Sequence, residues 1–169
     1  MIRFEEITTK NVWDVCRLKV TKEQEDFVSA NIESLAEAYA VKNEGYYAKP
    51  LAVYDDGLLI GFVMLGYGKT GDEDDPEIAE NNYCLWRLMI DVKYQHRGYA
   101  KHILDQVVAF AKGKKAGEAE YIWLSYEPEN EHGRKTYKKY GFVENGEYCG
   151  DEIVAVYKLD EQFMADIEI

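Results

Sequence analysis

The segment of this chain best suited to chemistry is Gln95-His96-Arg97-Gly98-Tyr99-Ala100, set between an apolar run that ends at Asp91 and the start of a long apolar stripe. Where a strand feeds a tight turn into a helix, several backbone N–H groups have no intrahelical partner and the helix dipole adds partial positive charge. Such a turn is an anion socket. Gly98 allows close backbone approach, small Ala100 lets the helix sit near a ligand, and Arg97 and Lys101 add charge without reading shape. No Gly-Lys-Ser/Thr follows and the dinucleotide GxGxxG fingerprint is missing, so ATP and NAD lose support. An ordinary strand-to-helix turn carries the same local signature.

A second segment, Asn130-Glu131-His132-Gly133-Arg134-Lys135-Thr136-Tyr137, runs on to Tyr140 and Gly141-Phe142. A lone tyrosine at helical spacing reads first as a half-buried aromatic covering a sheet. Two acidic stretches are suited to a cationic ligand. Asp72, Glu73, Asp74 and Asp75, followed by Glu77, are either a polyamine site or a solvated loop. Glu23, Gln24, Asp26 and Phe27 are either the wall of an acceptor groove or an exposed capping segment. His96, His102 and His132 have no metal spacing and read as surface residues. Cys16, Cys84 and Cys149 show neither CxxC nor His spacing and read as reduced, packing thiols of a cytoplasmic protein.

The elements that must position these residues follow from periodicity. Ile2 to Ile7 predicts a strand, and Val12, Val15, Cys16 and Lys19 a helix capped by Asn11. Ile32, Leu35, Ala36 and Tyr39 predict a second helix, 32–40, capped by Asn31 and buried along that stripe. Leu51–Tyr54 and Leu58–Tyr67 flank Asp55-Asp56-Gly57, a strong hairpin signal. The stretch 70–82 lacks an apolar period and predicts an exposed loop. Cys84–Ile90 predicts a central strand covered on both faces. Ala100, Ile103, Leu104, Val107, Val108 and Ala111 form the clearest amphipathic helix, closed by Gly113. Tyr121–Ser125 is a buried strand, Thr136, Tyr137 and Tyr140 mark a short helix, and Phe142–Glu147 and Ile153–Leu159 are the last strands. The predicted order is β-α-α-β-β-β-α-β-α-β-β.

The length of 169 residues suits one domain, expected over 1–159 with a tail at 160–169. A formal net charge of −12 repels phosphate backbones and anionic membranes, so neither nucleic acid nor membrane is an expected partner, while small cations are attracted. No apolar run reaches the length of a signal peptide or membrane helix, and a soluble, unprocessed chain is expected.

Taken together, Gln95-x-x-Gly98-x-Ala100, Asn130 with Tyr137 seven residues on, and Gly141-Phe142 closing the helix resemble the GNAT acetyltransferase pattern in order and separation. The resemblance covers nearly the whole chain. It implies the α/β GNAT fold, a mixed central sheet of about seven strands flanked by about four helices, with acetyl-CoA as cosubstrate and no metal. It further implies that the turn from His96 to Lys101 holds the CoA pyrophosphate, and that the backbone of Leu88, Met89 and Ile90 pairs with pantetheine in a slot between splayed central strands. Asn130 would contact the pantetheine arm, and Tyr137 would stand near the thioester sulfur as general acid.

Within the superfamily the chain is similar to bacterial diamine and spermine/spermidine acetyltransferases through Leu85-Trp86-Arg87-Leu88-Met89-Ile90-Asp91, Tyr94-Gln95 and Trp123-Leu124-Ser125-Tyr126-Glu127-Pro128-Glu129-Asn130. That resemblance implies direct attack by a di- or polyamine in a ternary complex, and a homodimer, as is common in the family. Other amines (an amino acid, a peptide N-terminus, an aminoglycoside) and a non-catalytic CoA-binding module are the alternatives. Polyamine-acetylating relatives often carry a carboxylate where this chain has Trp86, which leaves the proton acceptor unassigned and makes Trp86 either core or a lid over the acceptor's methylene chain. Gly133 stands where many relatives carry alanine, which predicts a loosened helix start.

Overall fold

The computed structural model describes residues 1–160; beyond Asp160 the expected tail lies outside the described residues. The chain runs β1 (Ile2–Glu6), α1 (Val12–Arg17), α2 (Asn31–Asn43), β2 (Tyr47–Asp55), β3 (Leu58–Tyr67), β4 (Tyr83–Ile90), α3 (Tyr99–Lys112), β5 (Tyr121–Tyr126), α4 (Glu131–Tyr140), β6 (Val143–Cys149) and β7 (Glu152–Lys158). This is the predicted order. Among the described residues the strands form one mixed seven-stranded sheet, β1-β2-β3-β4-β5-β7-β6, in which only β4 and β5 run parallel. The β2–β3 hairpin turns on Asp56 and Gly57, at φ 45° and 88°, the consecutive left-handed pair that matches strand twist.

Alternation along β3 divides the core. Val63 and Leu65 face α3, meeting Ile103, Leu104 and Val107, while Phe62 and Met64 face the other layer with Val15 and Ala38. The α3 stripe is buried as its spacing predicts. Helix α2 is not. Ile32 and Tyr39 are exposed, and the helix instead buries Asn31, Ser34 and Ala38. Asn31 is therefore no N-cap: it lies inside the first turn, where its Nδ2 donates to the Val15 carbonyl at 2.8 Å. The cap position is Ala30, whose N–H is met by the Glu33 carboxylate at 3.2 Å. The Asn31 amide joins the Leu18 N–H, at 3.2 Å, on the Val15 carbonyl, and this buried tie between α2 and α1 takes the place of the apolar stripe.

The predicted exposed loop 70–82 is only partly so. Gly71–Asp74 are exposed, but Pro76 and Ala79 are buried and Ala79 packs with Trp123 and Val154.

The feature that positions the site is the way β4 and β5 part. They share two residue pairs, Tyr83↔Ile122 and Cys84↔Trp123, and then separate. The closed end is held by Asn82, which is 8% exposed. Its Oδ1 accepts from the N–H groups of Glu120 and Tyr121 at 3.1 and 2.8 Å, and its Nδ2 donates to the carbonyls of Ile78 and Glu80 at 2.9 and 3.2 Å. The open end begins at a β-bulge. Leu65 pairs with Leu85 and Met64 with Arg87, leaving Trp86 as the extra residue. A bulge bends its strand and breaks side-chain alternation, and here it coincides with the point where β4 leaves β5.

Replacing Asn82 by alanine strands the Glu120 and Tyr121 N–H groups beside a cavity. We expect Asn82→Ala to lower the unfolding free energy by about 2–3 kcal/mol, measured by urea denaturation; an unchanged midpoint would show that the parallel pair closes without it.

Candidate active site

Beyond Cys84, the backbone groups that β4 turns toward β5 have no strand partner. Into that opening the chain brings the strand-to-helix turn. Asp91 ends β4, 5% exposed, and its carboxylate accepts from the N–H groups of Lys93 at 3.0 Å and Lys19 at 2.9 Å. Gln95 then donates to the Ile90 carbonyl at 2.9 Å and to Gln24 Oε1 at 2.8 Å. These bonds hold the turn rigidly between β4 and the segment that follows α1. His96 and Gly98 are left-handed, at φ 59° and 80°, which delivers the chain into α3 with the first-turn N–H groups of the helix facing outward from its end. A Cβ at Gly98 would meet nothing within 4 Å, so glycine is needed there for its φ and not for space.

The result is a cleft of about 550 Å³ walled by Leu88, Met89 and Ile90 on one side and by Asn130, Thr136 and Tyr137 on another, with the Gln95–Ala100 turn at its end. Val20, Glu23, Gln24, Phe27 and Val28 form its outer wall.

Tyr137 is half-buried. Its ring stacks on Tyr126 at 6.2 Å between centroids and 9° between planes, and meets Phe142 edge-on at 5.8 Å. Burial pushes its phenol up to about 12, so it stays protonated across the neutral range. Helix α4 is anchored from below: Tyr126 donates to Glu144 at 2.7 Å, and Arg134 pairs with the same carboxylate at 2.6 Å. Asn130 is the N-cap of α4, its Oδ1 accepting from the Gly133 N–H at 3.0 Å. A Cβ at position 133 would lie 2.7 Å from Asn130 Nδ2. Gly133 therefore makes room for this cap, and the helix start is fastened where its sequence predicts loosening.

A smaller cavity of about 270 Å³ opens on the α1–α2 layer of the sheet, lined by Trp86 and Arg87 of β4, Trp123 of β5, Cys149 and Gly150 of β6 and the turn after it, and Glu152 of β7. Asp72, Asp74, Asp75 and Glu37 complete its rim. The carboxylates differ in what already holds them. Glu37 pairs with Arg87 at 3.1 Å. Asp75 accepts from the N–H groups of Thr70 and Gly71 at 2.7 and 3.0 Å. The Nε atoms of Arg87 and Trp123 are buried without a hydrogen-bond partner among the described residues, and the Trp123 residue is 6% exposed.

The residues singled out from sequence thus divide between two cavities. Leu88, Met89, Ile90, Gln95, His96, Gly98, Tyr99, Ala100, Asn130, Tyr137 and Glu23 line the larger one. Arg97 and Lys101 are not among its lining: the Arg97 guanidinium donates to the Lys93 carbonyl at 2.9 Å, and Lys101 pairs with Asp105 at 2.9 Å. Trp86, Asp72, Asp74 and Asp75 line the smaller one, while Glu73 and Asp26 are exposed and line neither. Trp123 and Ser125 stood out only within the resembling stretch Trp123–Asn130, and Glu152 carried no local signal, since only strand pairing brings β5 and β7 together. Among the described residues no group of His, Cys, Asp and Glu is arranged to hold a metal, and no helix is long and apolar enough to cross a membrane.

Comparison with known proteins agrees with this geometry. The chain is 29% identical over 157 residues to a spermine/spermidine N(1)-acetyltransferase of Bacillus subtilis, covering 90% of this chain and 96% of that protein. Among solved structures it superposes on an aminoglycoside acetyltransferase in complex with coenzyme A at a TM-score of 0.75, with 12% identity and 94% and 95% coverage. It also superposes on the spermidine N-acetyltransferase of Vibrio cholerae in complex with CoA and spermine, at a TM-score of 0.59, with 17% identity and 92% coverage of each chain. Residues 12–142 match the acetyltransferase (GNAT) family model. With that match spanning the parted strands, the glycine turn and the Asn130–Tyr137 helix, the chain belongs to the GNAT family of acetyltransferases.

Proposed function

We propose that this protein transfers the acetyl group of acetyl-CoA to a primary amine of a di- or polyamine, by direct attack within a ternary complex. The observation that carries the first half is the parting of β4 and β5, which leaves a strand edge at Leu88–Ile90 beside the open end of α3. The residues fit coenzyme A. A diphosphate suits the N–H groups of a helix start, and an amide-bearing arm suits an unpaired strand edge, as in strand addition. His96, Gly98, Tyr99 and Ala100 would hold the diphosphate, and Leu88, Met89, Ile90 and Asn130 the arm. Arg97 and Lys101 would contribute through their backbone and their field, since their side chains are engaged elsewhere.

Tyr137 is suited to act as the acid. Its ring is fixed between Tyr126 and Phe142, and a phenol held at about 12 is protonated at neutral pH and can hydrogen-bond or donate to the departing sulfur, whose thiolate burial makes more basic. The thioester supplies the activated acyl carbon, and the role of this chain is to hold it, exclude water and protonate the departing sulfur.

The polyamine half is supported by charge. The smaller cavity collects carboxylates around two tryptophan side chains, a lining suited to a chain of methylenes carrying several positive charges. A second reading has its own support. Two residues lining this cavity carry buried donors without a partner among the described residues, Arg87 Nε and Trp123 Nε1, and a hydroxyl-bearing amine such as an aminoglycoside would bring acceptors that a protonated polyamine does not.

A thiol-release assay with spermidine, spermine, putrescine, an aminoglycoside and amino acids separates these readings. We expect the highest kcat/KM on spermidine or spermine; a preference for the aminoglycoside would move the assignment to the second reading, and tight acetyl-CoA binding with no turnover on any amine would mark a binding module. Tyr137→Phe should lower kcat about a hundredfold while acetyl-CoA affinity changes far less; equal turnover would remove Tyr137 from the acid role.

The raised phenol also has a stability consequence. The buried neutral form is favoured below the unfolded value near 10, and that contribution is lost as pH rises through about 12. In an alkaline absorbance titration, the phenolate missing from Tyr137→Phe should therefore titrate near 12, and a midpoint near 10 would mean the phenol is solvated.

A further inference from the structure

A polyamine nitrogen arrives protonated, since its pKa is about 10.4, and must lose a proton before it can attack. Trp86, at the bulge of β4, offers no proton acceptor. The bulge sends Trp86 and Arg87 to the same layer of the sheet, where Arg87 pairs with Glu37. The proton acceptor must therefore come from another strand. Of the five carboxylates lining the smaller cavity, Glu37 is paired, Asp75 is bound by two backbone N–H groups, and Asp72 and Asp74 are exposed. Glu152 is half-buried, and neither a cation nor a backbone N–H holds it among the described residues. It accepts a hydrogen bond from the hydroxyl of Ser125.

Topology accounts for this pair. Ser125 lies on β5 two residues past its last pairing with β4, on the same face as Trp123. Val154 is its partner on β7, and Glu152, two residues earlier on that face, reaches the Ser125 hydroxyl. Ser125 is half-buried beside the parted strands and lines neither cavity itself, and its hydroxyl touches the carboxylate of Glu152, which lines the smaller one.

We propose that Glu152, acting through the Ser125 hydroxyl, is the proton acceptor for the incoming amine. This rests on the polyamine reading given above. In balance, the ammonium passes one proton to the Ser125 oxygen as that hydroxyl passes its own to Glu152. The neutral nitrogen then forms the C–N bond to the acetyl carbon as the C–S bond breaks. The second nitrogen proton compensates the one that Tyr137 gives to sulfur, and Glu152 releases its proton to solvent, one per turnover.

The groups facing Glu152 favour this assignment. From the loop before β4 come Asp72, Asp74 and Asp75, from α2 Glu37, from β4 Cys84 and Arg87, from β6 Cys149, and after β5 Glu127. Burial, reinforced by neighbouring acids, pushes the Cys149 thiol up to about 11 and the Cys84 thiol well above its usual value, so neither competes for the proton at neutral pH. Burial and the fields of Glu152 and Glu129 also raise Glu127, but it lies past the end of β5 and, unlike Glu152, neither lines a cavity nor bonds the Ser125 hydroxyl. The only cation in the group is Arg87, and it is committed to Glu37.

The test is the pH dependence of spermidine acetylation, from pH 6 to 10, in the unaltered protein, Glu152→Gln, Glu152→Asp and Ser125→Ala. We expect Glu152→Gln to lower kcat at pH 7 about a hundredfold, with acetyl-CoA affinity unchanged. Its rate should climb about tenfold per pH unit as free amine accumulates, narrowing the gap near pH 10. Glu152→Asp should recover part of the loss, and calorimetric binding of spermidine to the CoA complex should weaken less than tenfold in Glu152→Gln. If Glu152→Gln keeps kcat and the original pH profile and loses only spermidine affinity, Glu152 is a charge contact and the proposal is wrong. Ser125→Ala carries the same test should the glutamine variant not fold, and an unchanged profile there removes the relay. Absence of turnover on spermidine in the unaltered protein would instead overturn the polyamine reading on which this one stands.

Discussion

The structure depends on two parallel strands that begin together and do not stay together. A sheet normally satisfies every backbone group of a central strand, so an unpaired stretch in its middle is costly unless something else fills it. Here the parting is built from both ends. Asn82 draws in the backbone on either side of the closed end, and one extra residue in β4, Trp86, bends the strand away. The same bulge reassigns side chains, giving the α3 face Leu85 and Leu88 and the opposite face Trp86 and Arg87. One inserted residue thus shapes both the slot on one side of the sheet and the cavity on the other.

Around that opening the chemistry divides by strand. β4 and the turn after it offer backbone, an edge and a helix end, which suit an extended anion. β5, α4 and β7 offer side chains: a phenol kept protonated by burial, a hydroxyl and a carboxylate in contact. The net charge of −12 and the acidic rim act at longer range, concentrating cations near the smaller cavity. Under the proposed function an anion would meet the backbone of the socket and a cation would meet side chains on the other layer, so an excess of acid need not hinder both.

Much of this was legible before any fold was known. The order of elements, the Asp56-Gly57 hairpin and the stripe of α3 follow from local chemistry, because each is decided within a few residues. The socket and Tyr137 were legible through spacing joined to a family pattern. What stayed hidden was decided between elements. Ile32 and Tyr39 fit a buried stripe, yet α2 turns Asn31 inward, where its amide bonds the Val15 carbonyl of α1. The bulge at Trp86 is a matter of register with β3, to which the letters of β4 are indifferent. Arg97 and Lys101 look like phosphate ligands, but a carbonyl and an aspartate one turn away take their side chains. Glu152 sits just past a β-turn and becomes notable only when β7 is laid against β5.

The central claim is that the parted strands and the glycine turn receive coenzyme A by its backbone contacts. Amide hydrogen exchange on the whole chain, with and without acetyl-CoA, tests this most directly. Slowed exchange is expected only at the β4 end, 88–90, and the turn at 95–101, with the Asn82 region unchanged because it is already closed. Saturating acetyl-CoA that leaves those amides exchanging as before, or protects a different face of the sheet, would contradict it.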